Sequence, residues 1–202
     1  KPFVSSFAVF ATGRAFEQIR NGICYANLPV VIAATHAGIS VGEDGGTHQS
    51  IEDMAIMRSL PNMTVICPAD GPETAQAVRA AAQAKGPVYL RMGRSGLPVL
   101  YEEQDRHFQI GKGHLLKEGA DVALIACGLM VEKALAAAAL LAEKGIQAAV
   151  CNMASIKPLD EELLGQLAEY CGAFVTCEEH SVIGGLGSAV SEYLSKNNPC
   201  PV

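Results

Sequence analysis

The residues best equipped for chemistry are concentrated between positions 35 and 50, in the run THAGISVGEDGGTHQS. It sets His36, Glu43, Asp44 and His48 among Gly38, Ser40, Gly42, Gly45 and Gly46. Imidazoles exchange protons near neutral pH, carboxylates accept hydrogen bonds from hydroxyl groups, and glycines let the backbone turn sharply and approach a ligand. Such a set suits a metal site, an acid–base pair for sugar hydroxyls, or a structural turn with satisfied histidines. Metal is the weaker functional version, because no local pair with His-x3-His spacing is present. Function outranks the structural turn, since titratable groups gathered into one loop after a buried strand are costly unless used.

That loop needs a scaffold, and the chain supplies one. Short apolar runs bounded by Pro or Gly alternate with stretches of helical period, the pattern of a parallel α/β architecture. Strands are predicted at 30–34, 63–67, 88–92, 121–126, 146–151 and 173–177. Ser50 with Asp53, and Asp70 with Glu73, place a cap residue three before an acid, so helices are predicted to start near 51 and 71. Further helices are predicted over 129–144, 160–170 and 185–196, and Gly86 and Gly145 close two of the helices. The alternation breaks between Gly93 and Gly119, where a linker is expected. Each side then holds three strands, the chain opens in a helix-like segment, and both halves read as incomplete at their outer ends. The loop 35–50 follows a strand and precedes a helix, the carboxyl-end position at which α/β sheets bind ligands.

Composition narrows the classes. Of 202 residues half are apolar and 18% charged, with 15 Lys and Arg against 21 acids and a net charge of -6. No basic block appears, which argues against a nucleic-acid partner. The uncharged stretch from Asn21 to Gly42 is interrupted by Asn27, Pro29, His36, Gly38 and Ser40, so no membrane span is expected. The opening residues show no basic segment followed by a short apolar run and cleavage site, so export is not expected. The seven cysteines lack CxxC spacing and lie mostly in apolar runs, as reduced core thiols of a cytoplasmic protein do. His107, His114 and His180 are assigned to structure or surface. The loop Gly184-Gly185-Leu186-Gly187 has the look of an anion cradle, but close strand–helix packing accounts for it equally well.

The run THAGISVGEDGGTHQS, followed by RSLPNMTVICPAD and GPVYLRMGR, resembles the transketolase family closely and in order. The later segments GADVALIACGLMVEKALAAAALLAEKGIQAAVCNMASIKPLDEELL and EEHSVIGGLGSAVSEYL resemble its C-terminal domain, so the likeness covers essentially the whole chain. It is greatest to the C-terminal subunit of split, two-polypeptide transketolases. The resemblance implies two consecutive three-layer α/β/α domains with mainly parallel sheets: a partial pyrimidine-binding domain with linker over 1–106 and a C-terminal-type domain over 107–202.

It also implies an activity, the transfer of a two-carbon ketol unit between sugar phosphates with thiamine diphosphate as electron sink. By motif position His48 corresponds to the catalytic histidine facing the donor carbonyl and hydroxyls. Asp44 matches the aspartate that reads a sugar hydroxyl, and His36 and Arg94 match the pair that holds the substrate phosphate. Arg91 flanks the same Met92-Gly93 and is easily mistaken for Arg94. Phe7 and Phe10 match the aromatic pair that packs on the cofactor's aminopyrimidine ring; by spacing alone they read as the buried stripe of a helix. Gly13 stands where longer family members often have tyrosine. The family's activating glutamate lies upstream of Lys1, and Mg2+ or Ca2+ and the diphosphate would be bound by a separate N-terminal subunit. A homodimer and inactivity without that partner are therefore expected. Two relatives with 2-oxo acid donors, deoxyxylulose-phosphate synthase and the beta-type subunit of 2-oxoacid dehydrogenases, are the alternatives within the fold. The paired histidines favour transketolase over the dehydrogenase subunits, which usually lack the upstream one, and the synthase stands as the runner-up among enzymes. A non-catalytic assembly or regulatory module is the alternative outside it.

Overall fold

The computed structural model describes residues 1–102 and 108–202. In chain order the strands are β1 (Phe3–Phe7), β2 (Val31–Thr35), β3 (Thr64–Ile66), β4 (Val88–Arg91), β5 (His114–Lys117), β6 (Val122–Ala126), β7 (Ala148–Asn152), β8 (Ser155–Lys157) and β9 (Phe174–Cys177). The helices are α1 (Phe16–Gln18), α2 (Asp53–Ser59), α3 (Gly71–Gln83), α4 (Met130–Ala142), α5 (Glu161–Ala168) and α6 (Leu186–Asn197), with wide π-type turns at Phe10–Arg14 and Ile19–Tyr25 on either side of α1. The expected domain boundary at 106/107, and His107 with it, lie outside the described residues.

The first sheet has the order β1-β2-β4-β3-β8 and the second β5-β7-β6-β9. β1, β2, β4 and β3 are mutually parallel, as are β7, β6 and β9, while β8 and β5 join antiparallel. Two α/β units result, but they are not cleanly consecutive. β8, from the second half, adds to the edge of the first sheet beside β3, and β1 adds to the opposite edge beside β2, so that sheet has five strands rather than three.

Every strand predicted from an apolar run forms. The opening segment, however, is a strand and not a helix. β1 reads Phe-Val-Ser-Ser-Phe and is exposed along most of its length, as an edge strand can be, so it carries no apolar run to betray it. β5 falls inside the expected linker, and β8 is only three residues long.

Of the two predicted caps one forms. Asp70 accepts from the Glu73 amide at 2.8 Å and starts α3 at Gly71. α2 starts at Asp53, two residues later than predicted and without a side-chain cap. The reason is that Asp53 turns inward to Arg91 and Tyr89, and Ser50 Oγ has no partner among the described residues.

Helices lie close to the sheets because their buried faces are small. α3 buries Ala77 and Ala81, four apart and so on one face, against Ile66, Val88 and Leu90. α4 does the same with Val131, Ala134 and Ala138 against Leu124 and Val150. The largest apolar cluster runs through both halves, joining Met54, Met57 and Val65 to Ile125, Met153, Ile156 and Leu164. Each such fully buried side chain stabilises by roughly 1.5–3 kcal/mol, so this shared core fixes one half against the other.

All seven cysteines are free, five of them buried, and burial pushes the Cys151 thiol up to about 12. Among the described residues no helix is long and apolar enough to cross a membrane.

Candidate active site

At the carboxyl ends of β1 and β2 the register sets Phe7 beside Thr35, the residue before His36. His36 takes a left-handed backbone conformation, φ 59°, which turns its ring back over β1. The imidazole stacks on Phe7 with ring centres 3.7 Å apart and planes within 13°. Phe10, in the turn that follows β1, lies nearly parallel to Phe7 at 5.9 Å. His48 arrives from the far end of the glycine-rich loop and meets Phe10 edge-on at 5.2 Å and Phe7 at 6.0 Å. The pair that spacing alone would place on a buried helical stripe is therefore the half-buried floor of a four-ring cluster.

The two histidines share one hydrogen-bond pattern. His36 Nδ1 lies 2.9 Å from Thr35 Oγ1, and His48 Nδ1 lies 2.9 Å from Thr47 Oγ1. Each hydroxyl orients its ring through Nδ1, and among the described residues neither Nε2 has a partner. Both Nε2 atoms can therefore exchange a proton or a hydrogen bond with a ligand.

Arg94 and Asp44 stand nearby without joining the rings. Asp44 ends an exposed 3-10 turn, Gly42–Asp44. Its neighbour Glu43 accepts from Arg94 Nη2 at 2.8 Å, with 38% of the arginine side chain and 90% of the glutamate exposed. Gly42 has φ 79°, a left-handed conformation that favours glycine, and the Arg94 guanidinium lies against the place where a Cβ would stand. Exposed pairs of this kind are worth about 0–1 kcal/mol, which leaves the guanidinium available to a stronger anion. Arg91 is a different residue in kind. It is buried, binds Asp53 at 2.7 Å through Nε and 3.1 Å through Nη2, and braces the interior.

Two contacts at the site are not anticipated by the sequence. Arg14 lies over the Phe10 ring at 4.4 Å, a cation–π contact whose only local signal is the four-residue spacing on one turn. Glu179, from the second half, accepts the Ile39 and Ser40 amides inside the glycine-rich loop, and has no local signal at all. Gly13 is open, with nothing within 4 Å of where a Cβ would stand.

The remaining expectations resolve as structure. His114 stacks on Tyr101 at 5.5 Å. His180 is buried, with Nδ1 2.6 Å from the Ser181 carbonyl and Nε2 accepting from the Ala55 amide at 3.4 Å. The cradle at 184–187 is filled from within, by the Glu178 carboxylate on the Leu186 and Gly187 amides at 2.6 and 2.8 Å.

Residues 1–99 match the family model described as the transketolase pyrimidine-binding domain, and residues 111–200 the one described as the transketolase C-terminal domain. A Methanocaldococcus jannaschii protein, provisionally described as a transketolase C-terminal section, is 50% identical over 96% of this chain and 61% of its own length. A solved structure titled as a split gene transketolase, inactive beta4 tetramer, superposes with a TM-score of 0.93 at 57% identity, over all of this chain and 65% of that one. The 1-deoxy-D-xylulose-5-phosphate synthase 1 of Geobacter sulfurreducens is 41% identical over 96% of this chain but only 30% of its own length. The chain thus spans somewhat less than two thirds of the first two and a third or less of the synthase. With both domain models matched in order along nearly its whole length, the chain belongs to the transketolase family.

Proposed function

We propose that this chain forms part of a split transketolase that moves a two-carbon ketol unit between sugar phosphates, completed by a separate diphosphate-binding subunit. The observation that carries the reading is the convergence of His36, His48, Phe7 and Phe10 at the carboxyl ends of β1 and β2, with both histidine Nε2 atoms free of partners among the described residues. Homodimerisation, a divalent cation on the partner subunit and a reducing cytoplasmic setting belong to the same proposal. The free cysteines support the last of these.

The residues suit thiamine diphosphate. Phe7 and Phe10 are within 8° of parallel and half-buried, so they can present flat apolar faces to a heteroaromatic ring. When bound, the cofactor supplies the carbon that carries the ketol unit. This chain's part is to bind and to handle protons. His48 Nε2 takes or returns the proton of a donor hydroxyl. Asp44 accepts a hydrogen bond from a sugar hydroxyl. Arg94 exchanges its exposed Glu43 partner for the substrate phosphate, to which a planar guanidinium donates in a fork, with His36 alongside.

The test is a ketol-transfer assay on the full-length subunit assembled with its partner, supplied with xylulose 5-phosphate, ribose 5-phosphate, magnesium and thiamine diphosphate. Turnover that needs both polypeptides and falls about 100- to 10,000-fold in kcat with His48→Ala is expected, the range of a lost general acid–base group. No turnover in a properly assembled complex overturns the reading. The synthase-like relative supports a second reading, with a 2-oxo acid as donor. Turnover with pyruvate but not with xylulose 5-phosphate would establish it.

A further inference from the structure

The glycine-rich loop that connects His36 to His48 does not hold its shape alone. Its two ends are tied by a bridge, with the Gly38 amide on the Ser50 carbonyl at 2.7 Å and the Ser50 amide on the Gly38 carbonyl at 3.2 Å. Between these ends one group from the other half of the molecule intervenes. Glu179, just beyond β9, extends its carboxylate over the loop, where Oε1 accepts the Ile39 amide at 2.8 Å and the Ser40 amide at 2.5 Å. The fit leaves no slack. Gly38 has φ 87°, and a Cβ there would overlap the Glu179 carboxyl group. Gly38 is therefore fixed as glycine both by its left-handed backbone and by the carboxylate lying against it.

Glu179 is itself anchored. Its carbonyl accepts from Arg91 Nη2 at 2.9 Å, and the same Nη2 lies 3.4 Å from the Ser50 carbonyl at the loop's far end. Arg91 is held in turn by Asp53, at the start of α2. One buried ion pair thus braces both the loop's exit and the residue that clamps its entrance. Among the described residues Glu179 makes no hydrogen bond to any of the four rings, and its carboxylate acts on the loop through residues 38–40.

We propose that Glu179 is a positioning residue for the reaction: the second half of the chain sets the loop conformation that brings His36 and His48 to the same pair of phenylalanines. The inference rests on the proposed function for its kinetic consequence, but not for its structural one. A carboxylate accepting two successive amides fixes the local backbone direction, and a displacement of about an ångström in a catalytic group can cost on the order of 100-fold in rate.

The experiment compares wild type, Glu179→Ala and Glu179→Gln in the full-length subunit assembled with its partner, reading kcat and KM, the thermal midpoint, and amide hydrogen exchange. With Glu179→Ala, kcat is expected to fall about 10- to 100-fold. KM for the phosphorylated acceptor should rise by a smaller factor than kcat falls, because His36 moves with the loop while Arg94, the other group assigned to the phosphate, belongs to the segment after β4. Exchange at Ile39 and Ser40 should speed up while amides of β3 and β8, where the halves pair, stay protected. Glu179→Gln keeps an acceptor oxygen and should recover most of both losses. A merely cohesive role would instead lower the midpoint and expose β3 and β8 together with Ile39 and Ser40. Unchanged exchange at Ile39 and Ser40 in Glu179→Ala overturns the proposal, as does kcat within about twofold of wild type in a complex that turns over ketol or 2-oxo acid donors. If the wild-type complex turns over neither donor, the proposed function fails and the exchange comparison alone decides for or against Glu179 as the clamp.

Discussion

Two loops of this protein are built from the same materials and end in opposite states. After β2 the chain runs through His36, Glu43, Asp44 and His48 among glycines into α2, and after β9 it runs through Glu178, Glu179 and His180 among glycines into α6. In the second loop the polar groups are largely spoken for. Glu178 occupies the amides of Leu186 and Gly187 at the start of α6, and His180 is buried between the Ser181 carbonyl and the Ala55 amide. In the first, Asp44 is exposed on its turn and both histidines keep Nε2 without a partner among the described residues. The same residue types, in the same topological position, make a closed joint in one place and an open reactive surface in the other. The exception teaches as much as the rule: Glu179 leaves the closed loop to brace the open one.

The largest effects are expected from cutting each loop at its centre and reading both activity and stability. His48→Ala should remove activity by the factor given above and leave the thermal midpoint nearly where it was, because the ring's contacts are peripheral. Glu178→Ala should do the reverse. It removes two charge-assisted hydrogen bonds and strands two amides at a helix N-terminus, a loss of about 3 kcal/mol or more and so a midpoint lower by roughly 6–12 °C for a protein of this size. Differential scanning fluorimetry on the purified chain measures the second effect, and coupled turnover in the assembled complex the first. If Glu178→Ala kept its midpoint and lost activity, the two loops would not differ in kind and the comparison would collapse.

The fold was legible where the physics is local. The strands β2, β3, β4, β6 and β7 announce themselves because a largely buried strand must be apolar, β9 announces itself by its apolar run although it lies at a sheet edge, and Asp70 announces α3 because a cap acts over three residues. What escapes is whatever a distant partner decides. β1 is an edge strand and needs no apolar run. β8 is three residues long and exists because β3 offers it an edge. Ser50 and Asp53 have the spacing of a cap, yet Arg91, 38 residues on, takes the aspartate away. The site divides along the same line. The glycine-rich loop stood out by composition, but its convergence with Phe7 and Phe10 was reachable only through family resemblance, since no spacing rule relates them. Glu179 lies 140 residues from Ile39 and could not have been read at all.

A closed polar joint can still carry a cost, and Glu73 sharpens the comparison on that point. It is buried between the halves, accepting from the Ala69 amide at 2.6 Å and from Asn152 Nδ2 at 2.9 and 3.0 Å. Desolvation by burial outweighs these donors and pushes its carboxyl up to about 7, with the nearby Asp70 adding to the rise. The folded state therefore holds this proton more tightly than the unfolded chain, whose glutamate titrates near its usual 4.5. Stability contributed below about pH 4.5 is lost as pH rises through about 7, by up to roughly 3 kcal/mol. Urea unfolding between pH 5 and 8 should show this decline, and Glu73→Gln, which keeps an acceptor without a charge to bury, should flatten it. A slope unchanged in the glutamine variant would assign the pH dependence to other groups.

The smallest effect should come from the ion pair of Glu43 with Arg94 in the open loop. Glu43 is almost wholly exposed, so its bond to Arg94 is screened by solvent and Glu43→Gln should change the thermal midpoint by less than about 1 kcal/mol in equivalent stability. Its value to the comparison lies in the sign of a second readout. If Arg94 is a phosphate-binding group resting against a temporary partner, freeing the guanidinium should lower KM for a phosphorylated substrate and leave KM for its unphosphorylated analogue unchanged. If instead the pair is a fixed strut that shapes the loop, as Glu178 shapes the start of α6, the same change should raise both values and cost stability. A rise in both would move Arg94 from the open surface to the closed framework and redraw the boundary between them.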